Sequence, residues 1–391
     1  MRTTTRTILA LSLLAGAPLG AQGVASVQGF GYPTGQLGAR AGSTGGALTE
    51  FDETTPLNPA TVLGWQAAGL HFQYEPEFRT NTVPGGTFRT VANRIPVVVA
   101  ALPLGSRAAL ALSLSSLLDR TWATSSVSRQ SVGAESLYVS QTSSSDGGMN
   151  DIRLALGWSA AKWVSVGVAA HAMVGLDRFT QTVVLSRADP RTTTTTSSEF
   201  SPYGQQADIR FSGSALSAGV LLRPYRTISL GVSGRMGQSV RLTRRDSLVA
   251  RADIPNRLGA GLAYEVAART LLAADVEWIG WSALAPLSTD SKPHDALGWS
   301  AGIEAPGPRF AGRALTVRAG FHHRPLAYDA PTAVNGSNVQ WGTVEENAYT
   351  AGLSAPFAYD RALLTIFGQR ATRSVAGEKS FTLGVGLTVR P

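Results

Sequence analysis

The sequence predicts an all-β fold: a transmembrane, antiparallel, up-and-down β-barrel of about fourteen strands, with an N-terminal segment inside its lumen. Three observations support this prediction. The N-terminus has the layout of an export signal, and no later apolar run is long enough for a membrane helix. From residue 65 onward, apolar residues alternate with small or polar residues in segments of roughly ten residues.

The first 21 residues are predicted to be a signal peptide. Arg2 and Arg6 form a basic region, and a short apolar run extends from Ile8 to Ala15. This run is shorter than the roughly 20 residues that a membrane helix needs, and small residues follow it up to Ala21. Cleavage is expected after Ala21, with Gly23 as the second choice. The mature chain would therefore be exported.

Composition narrows the possible functions. The chain has 42 glycines and no cysteine, so burial and strand pairing must hold it together in an oxidising compartment. Its net charge of +8 comes without the aromatic and basic clusters of nucleic-acid-binding proteins, and export also argues against a nucleic-acid partner. The five histidines lack metal-ligand spacing, so we expect neither a metal nor a cofactor.

Residues of the predicted strands fall on two distinct faces. In one strand the side chains of Ile152, Leu154 and Leu156 share one face, and Arg153 and Ala155 lie on the other. Throughout the chain this second face consists of Gly, Ala, Ser and Thr with isolated charges, unlike the Lys/Glu-rich surface of a soluble sheet. The apolar face is therefore predicted to point outward into lipid.

The connections between predicted strands alternate in length. Every second connection is tight, as at 161–162, 359–360 and 306–312, whereas three of the others are long and polar: 121–149, 181–205 and 326–346. Short periplasmic turns and long outer loops are typical of outer-membrane barrels. The predicted strands lie near 65–79, 89–104, 107–120, 150–160, 163–180, 206–223, 226–243, 252–266, 269–282, 294–305, 313–325, 347–358, 361–373 and 379–390.

Tryptophans are placed near the ends of predicted strands. Trp158 and Trp163 flank one tight turn, and Trp278 and Trp281 lie at the far end of another strand. This placement predicts aromatic girdles at the two membrane interfaces.

A glycine-rich opening precedes the first strand. It contains Gly45 and Gly46 and leads through an acidic stretch to Asn58, Pro59 and Ala60. Glycine tolerates positive φ and close backbone approach, and an Asn-Pro pair can end a compact segment. Because a barrel of about fourteen strands is too wide for its wall side chains to fill, this opening is predicted to fold into the lumen as a hatch.

The chain is thus divided into a signal peptide (1–21), a hatch (22–64) and a barrel (65–391). Charged residues on the small-residue face are predicted to line the lumen, because arginine facing lipid costs roughly 2–4 kcal/mol at the membrane midplane. We expect them to hydrate the lumen and to bond to the hatch, chiefly through Arg153, Arg318 and Glu277. The predicted lumen charges are Arg153, Asp275, Glu277, Arg318, His322 and Arg324.

These N-terminal motifs, with the stretch Ile254 to Tyr264 and a strand ending in Trp281-Ser282, resemble the FadL-like family of outer-membrane transporters for long-chain fatty acids and other hydrophobic compounds. The resemblance implies a fourteen-stranded barrel, an internal hatch and a lateral exit through a kinked wall strand. The chain departs from the family by ending in Arg390-Pro391 without a terminal aromatic. Recognition by the barrel-assembly machinery would then depend on Phe381 and the apolar alternation.

Two predicted strands break their alternation. Leu114 and Leu117 fall on opposite parities with Ser115 and Ser116 between them, and a similar break occurs at 213–214. A β-bulge shifts the facing of a strand by one residue in this way. By resemblance to the family's kinked strand, Ser115 and Ser116 are predicted to mark a lateral opening. The alternative is an ordinary bulge that only curves the wall.

The function predicted from these features is passive uptake of hydrophobic small molecules, such as long-chain fatty acids, through a hatch-gated monomeric channel in the outer membrane of a Gram-negative-type bacterium. Outer-membrane lipid, the ligand and the barrel-assembly machinery would be its partners. One alternative is a non-transporting barrel that anchors secreted or surface proteins. An esterase is the other, suggested by the nucleophile-elbow pattern around Ser300, but this serine lies mid-strand with no helical pattern after it, so the chain is predicted not to be an enzyme.

Overall fold

The computed structural model describes residues 20–21, 30–83, 86–132, 135–190, 200–287, 293–310, 312–335, 338–374 and 378–390. Fourteen wall strands, three of them in two segments, form one antiparallel sheet. The strands are β1 (Gly69–Val83), β2 (Gly86–Arg94 and Val97–Pro103), β3 (Ala108–Asp119 and Trp122–Val132), β4 (Glu135–Ala161), β5 (Val164–Ser186), β6 (Tyr203–Tyr225), β7 (Ile228–Arg244), β8 (Ser247–Asp253 and Arg257–Ala267), β9 (Thr270–Ile279), β10 (Ala296–Phe310), β11 (Arg313–Asn335), β12 (Asn338–Phe357), β13 (Ala362–Arg373) and β14 (Lys379–Val389).

The sheet closes on itself. Strand β14 pairs with β1 from Lys379 opposite Thr80 to Val389 opposite Leu70. Because the strand number is even, the first strand starts and the last strand ends at the same rim. The predicted fourteen-stranded antiparallel barrel is confirmed. No helix among the described residues is long and apolar enough to cross a membrane.

The outer surface of the barrel is apolar, as the alternation predicts. On β4, Ile152, Leu154 and Leu156 are 39%, 51% and 43% exposed, whereas Arg153 and Ala155 are buried. The same alternation recurs around the wall, so the large exposed side chains form a lipid-facing band. Exposed Trp158 and Trp163 lie at one rim of this band, which agrees with an interfacial girdle.

The predicted long outer loops are wrong, because the chain there mostly continues as paired strands. Strand β4 pairs with β5 as far as Tyr138 opposite Ser186, and β11 with β12 as far as Asn335 opposite Asn338. Backbone groups that leave the membrane can still bond to the neighbouring strand, so a hairpin satisfies them as fully as water does. Polar residues on both faces hide this extension, because they remove the alternation that marks a strand.

Two further predictions at strand ends are wrong. Trp281 does not end a strand in a girdle: it starts a 3₁₀ helix (Trp281–Leu287) and is buried. The proposed turn 306–312 is mostly strand, since β10 continues to Phe310 and β11 begins at Arg313. The predicted signal peptide lies outside the described residues except for Gly20–Ala21, which pair with Thr124 and Ser125.

Both predicted breaks in the wall are present as β-bulges. The register shifts between Ser116 and Leu118 where β3 meets β4, and between Gly213 and Ala215 where β6 meets β7. The ladder between β2 and β3 ends near the first break, at Val97 opposite Ser115. Beyond it, no pairing joins the first segment of β2 to the second segment of β3 within the described ranges.

Candidate functional site

Residues 30–64, hereafter the N-terminal segment, contain a two-residue strand (Tyr32–Pro33), helix α1 (Ala39–Ser43) and a 3₁₀ helix (Pro59–Gly64). The predicted Asn58-Pro59-Ala60 motif starts the last of these. The Asn58 side chain accepts a hydrogen bond from the Ala60 amide at 2.9 Å, and Pro59 occupies the position where a missing N–H costs nothing. The amide group of Asn58 also donates to the Glu50 carbonyl at 3.1 Å, so this motif ties two parts of the segment together.

The predicted Gly45-Gly46 pair allows a tight turn against the wall. Both residues have positive φ, 67° and 94°, which favours glycine. A Cβ at Gly45 would lie 2.9 Å from the backbone nitrogen of Phe321 on β11, so a larger residue would push the segment off this strand.

Glycines of the wall allow backbone and side-chain atoms of the N-terminal segment to approach the strands closely. A Cβ at Gly320 on β11 would lie 2.0 Å from the Thr44 carbonyl oxygen. On the opposite side, a Cβ at Gly219 on β6 would lie 2.1 Å from Oδ1 of Asn58. A Cβ would also lie within 3.0 Å of an atom of the segment on β5, β7, β8, β10, β12 and β14, at Gly167, Gly231, Gly259, Gly302, Gly352 and Gly386. Small inward residues on so many strands match the shape of this segment.

Two ion pairs, one buried and one half-buried, connect the segment to two nearby strands of the wall. Nη2 of Arg257 on β8 donates to Oε1 of Glu50 at 3.0 Å, and Arg40 donates two bonds of 2.8 Å to Glu304 on β10. Although burial alone would lower the pKa of Arg40, the Glu304 carboxylate raises it, so the guanidinium stays charged. The predicted lumen charges Glu277 and Arg318 bond to the wall partners of these ion pairs and not to the segment itself. Glu277 accepts a hydrogen bond from Arg257, and Arg318 donates one to Glu304.

Tyr32 is the centre of a third attachment. Its hydroxyl donates to Glu346 at 2.7 Å and accepts from Arg373 at 2.9 Å and from Arg324 at 2.7 Å. Burial raises the pKa of Tyr32, and Arg324 lowers it less, so the hydroxyl keeps the proton that it donates. Four guanidinium carbons lie within cation–π range of its ring: those of Arg79, Arg94, Arg324 and Arg373, at 5.2, 5.1, 5.5 and 4.7 Å.

The predicted lumen charges take several different partners. His322 and Arg324 both contact Glu346, at 3.3 and 2.8 Å, and so belong to the Tyr32 attachment. Arg153 and Asp275 are buried, but neither bonds to the N-terminal segment within the described residues, so the expected direct role of Arg153 is wrong. The alternation of residues along a strand predicts which charges face inward. It does not predict the path of the N-terminal segment, and so it cannot show which of these charges contact that segment.

The break at Ser115 and Ser116 is covered by the N-terminal segment. Gln36 donates to Oγ of Ser115 at 2.7 Å, and the hydroxyl of Thr34 donates to the Ser116 carbonyl. Tyr32–Pro33 pairs as a short strand with Leu118 and Asp119. Backbone groups freed by the bulge are thereby satisfied, which the low-dielectric surroundings of a membrane wall require.

An apolar cluster fills the interior on the outer side of these contacts. Phe30 packs edge-to-face on Phe211 of β6, with ring centroids 5.5 Å apart, and the cluster includes Met149 and Met173 from β4 and β5. Trp281, one of the four tryptophans that the sequence analysis placed in the girdles, belongs to this cluster. The cavity beside it, lined by Gln36, Leu117 and Arg235 among others, has a volume of only about 40 Å³. This volume suits a water or two and excludes a hydrocarbon.

Several residues of this candidate site escaped the sequence analysis. The principal contacts between the segment and the wall are made by Tyr32, Glu50, Arg257 and Glu304. In the sequence, only their parity or their position near the glycine-rich opening distinguishes these residues from other polar residues. Each contact joins residues more than 200 positions apart, so no local pattern reveals it. The His171 network described below was likewise missed, because its members lie on three different strands.

The fold and the outward apolar face define a membrane-spanning β-barrel of the outer-membrane type. No known family model matches the chain, and no curated protein matches it in sequence. Solved structures do match in fold. A FadL homologue of Pseudomonas aeruginosa is 13% identical with a TM-score of 0.58, and the match covers 92% of this chain and 99% of that chain.

Two other channels match at similar levels. The toluene transporter TbuX of Ralstonia pickettii is 14% identical with a TM-score of 0.54, over 91% of this chain and 98% of that chain. The monoaromatic hydrocarbon channel CymD is 14% identical with a TM-score of 0.53, over 97% and 98%. The predicted resemblance to FadL-like barrels is thereby confirmed for the fold.

Proposed function

We propose that this protein is an outer-membrane channel for passive uptake of hydrophobic small molecules, and that its N-terminal segment acts as a hatch. The observation that carries the proposal is the close fit between the inward glycines of the wall and the N-terminal segment. A passive channel that must not leak needs this fit, because its interior is too wide for wall side chains alone to fill. A scaffold barrel of the same width would need it too, so the apolar cluster of the interior is what favours the channel over the scaffold.

The apolar cluster around Phe30 supports a hydrophobic ligand. It presents aromatic and thioether side chains on the inner face of the barrel, where an open hydrophilic pore would have polar ones. The matching structures are described as a FadL homologue, a toluene transporter and a monoaromatic hydrocarbon channel. Long-chain fatty acids and monoaromatic hydrocarbons are therefore the two ligand classes to test first.

Passage requires the hatch to move. The cavity of about 40 Å³ beside the cluster is too small for either ligand class. The attachments of Tyr32, Arg40 and Glu50 would keep the resting channel closed. A ligand that displaces Phe30 from Phe211 would compete with the packing of the segment, and so couple binding to opening.

The break at Ser115 and Ser116 is the proposed exit. The ladder between β2 and β3 ends at this point. Beyond it the Ser116 amide still donates to the Pro96 carbonyl at 3.1 Å, whereas the Ser116 carbonyl and the Ser115 hydroxyl bond to Thr34 and Gln36 of the N-terminal segment. Withdrawal of Thr34 and Gln36 would therefore expose a gap beside the lipid phase. A hydrophobic molecule could leave through that gap without crossing water.

Uptake measurements on proteoliposomes test the proposal. The full chain should take up radiolabelled oleate or toluene without passing small sugars, and deletion of residues 24–50 should admit sugars as well. A matched variant, Arg210→Ala, changes only an exposed ion pair with Asp246 and should behave as the full chain does. An assembled full chain that takes up neither hydrophobic probe would contradict the channel. An assembled deletion variant that stays impermeable to sugars would contradict the hatch.

A further inference from the structure

Three inward residues on adjacent strands form a continuous hydrogen-bond relay. Nδ1 of His171 on β5 lies 2.9 Å from Oδ1 of Asp151 on β4, and Nε2 of the same ring lies 2.8 Å from Oγ of Ser217 on β6. All three side chains are buried. A carboxylate on one imidazole nitrogen and a serine hydroxyl on the other is the arrangement of a serine hydrolase.

The carboxylate determines the direction of the relay. An ionised Asp151 can only accept, so Nδ1 of His171 must carry the ring proton. Nε2 is then free to accept, and the hydroxyl of Ser217 donates to it. This is the state in which histidine can take the serine proton as a general base. Gln36 and Arg235 also approach Oδ2 of Asp151, at 3.3 and 3.8 Å, which stabilises the ionised carboxylate.

The relay lies at the edge of the apolar cluster. Two residues further along the inward face of each strand are Met149, Met173 and Ala215, all members of that cluster. An acyl chain held by these residues would end at Ser217. The apolar cluster thus supplies a hydrophobic acyl site next to a nucleophile, which favours esters of apolar acids as substrates.

Arginine N–H groups without partners lie on the other side of the relay. Arg153, directly opposite His171 in the strand register, is 2% exposed, and its Nε and Nη1 have no hydrogen-bond partner among the described residues. Arg235, directly opposite Ser217, likewise has an unpartnered Nε. Such donors can stabilise the negative oxygen that forms when a serine attacks a carbonyl.

Ser300, the serine that the sequence pattern suggested, has no such relay. Its strand neighbours are Asp275 and His322, but the His322 ring is directed to Glu346 at 3.3 Å, and no hydrogen bond from Ser300 to either neighbour joins the three in the described structure. Ser300 therefore serves as an internal control for the chemistry of Ser217.

We propose that Asp151, His171 and Ser217 form a hydrolytic site that cleaves hydrophobic carboxylic esters in the lumen. Oγ of Ser217 attacks the carbonyl carbon while His171 takes its proton. The bond to the alcohol oxygen then breaks, and His171 returns the proton to the leaving alcohol. Water repeats these steps on the acyl-serine and releases the carboxylic acid. Access to Ser217 rests on the proposed movement of the N-terminal segment, because Gln36 covers the site.

Covalent labelling tests the site directly. The detergent-solubilised full chain is treated with an alkyl fluorophosphonate and analysed by intact mass and peptide mapping. The variant Arg257→Ala, which we expect to loosen the N-terminal segment, is treated in the same way. We expect a single adduct on Ser217 in one or both proteins, absent in Ser217→Ala and unaffected by Ser300→Ala. His171→Gln should slow labelling at least about a hundredfold. Burst release of p-nitrophenol from p-nitrophenyl butyrate should likewise be lost in Ser217→Ala, slowed in His171→Gln and unchanged in Ser300→Ala.

The outcomes separate this inference from the channel. The absence of an adduct on Ser217 in both proteins, or an adduct that survives His171→Gln at an unchanged rate, would overturn the inference and leave a structural relay. Heat-dependent electrophoretic mobility confirms that each variant is an assembled barrel. Uptake by the same preparations is measured separately. If the protein transports the hydrophobic probes but is not labelled, the hydrolytic site is contradicted and the proposed channel is not.

Discussion

Arg257 and Glu50 form a buried contact between the wall and the N-terminal segment, with Nη2 of the arginine 3.0 Å from Oε1 of the glutamate. Ser233 donates to the same carboxylate oxygen at 2.9 Å, and Arg257 also donates to Ser233 and Glu277. These bonds connect β7, β8 and β9 to one residue of the segment. Without Arg257, Glu50 would be a buried charge with no ion-pair partner among the described residues, so this contact depends on the arginine.

Arg257→Ala is therefore expected to release the segment from this side of the barrel. Loss of one partner of a buried pair costs about 3–5 kcal/mol, and water entering around Glu50 would recover part of it. We expect higher single-channel conductance in planar bilayers and faster swelling of liposomes in small sugars. Arg210→Ala, which removes a pair that is exposed on both sides, should change neither. Equal conductance of the two assembled variants would show that the contact has no gating role.

Gly219→Ala tests the fit between wall and segment without changing any charge. The new Cβ would lie 2.1 Å from Oδ1 of Asn58, so the turn that begins at Pro59 must shift away from β6. We expect protease cleavage within residues 30–64 to become faster in the folded barrel. Gly204→Ala on the same strand is the control, since its Cβ would meet only a carbonyl oxygen at 3.9 Å. Protection of the segment in both variants would mean that it is not packed on this glycine.

Substitutions of Tyr32 should separate its hydroxyl from its ring. Tyr32→Phe removes three hydrogen bonds to charged groups, each worth roughly 1.5–3 kcal/mol, but keeps the ring among the four arginines. Tyr32→Ala removes both. We expect spontaneous sugar leakage to rise from wild type through Tyr32→Phe to Tyr32→Ala, with the midpoint of heat-dependent barrel unfolding falling in the same order. Leakage at the wild-type level in Tyr32→Ala would contradict a closing role for this residue.

The sequence was sufficient for the barrel because strand alternation is a local property. The adjacent residues Arg153 and Leu154 face opposite sides of the wall, as the alternation predicts. The change of parity around Ser115 and Ser116 likewise predicts the bulge without any knowledge of the neighbouring strands. The inward position of the predicted lumen charges followed from the same rule, because arginine in lipid is costly.

The internal contacts could not be predicted in the same way. Arg153 and Arg257 have equivalent parity, yet only Arg257 reaches Glu50, and the difference depends on the three-dimensional path of the N-terminal segment. The predicted outer loops failed for a related reason. Beyond the membrane both faces of a hairpin contact water, so the alternation that identifies a strand disappears while its hydrogen bonds remain.

A reversible cross-link tests the central claim, that the N-terminal segment must leave the break in β3 for a ligand to pass. Pro33 and Leu118 are directly opposite each other in an antiparallel pair, where Cα atoms lie about 4.5–5.5 Å apart, within the range of a disulfide. The chain has no cysteine of its own, so Pro33→Cys with Leu118→Cys gives a single defined pair. The measurement is uptake of radiolabelled oleate and toluene by the oxidised and the reduced protein. We predict that oxidation abolishes uptake and that reduction of the same sample restores it, whereas full uptake with the disulfide intact would contradict the claim.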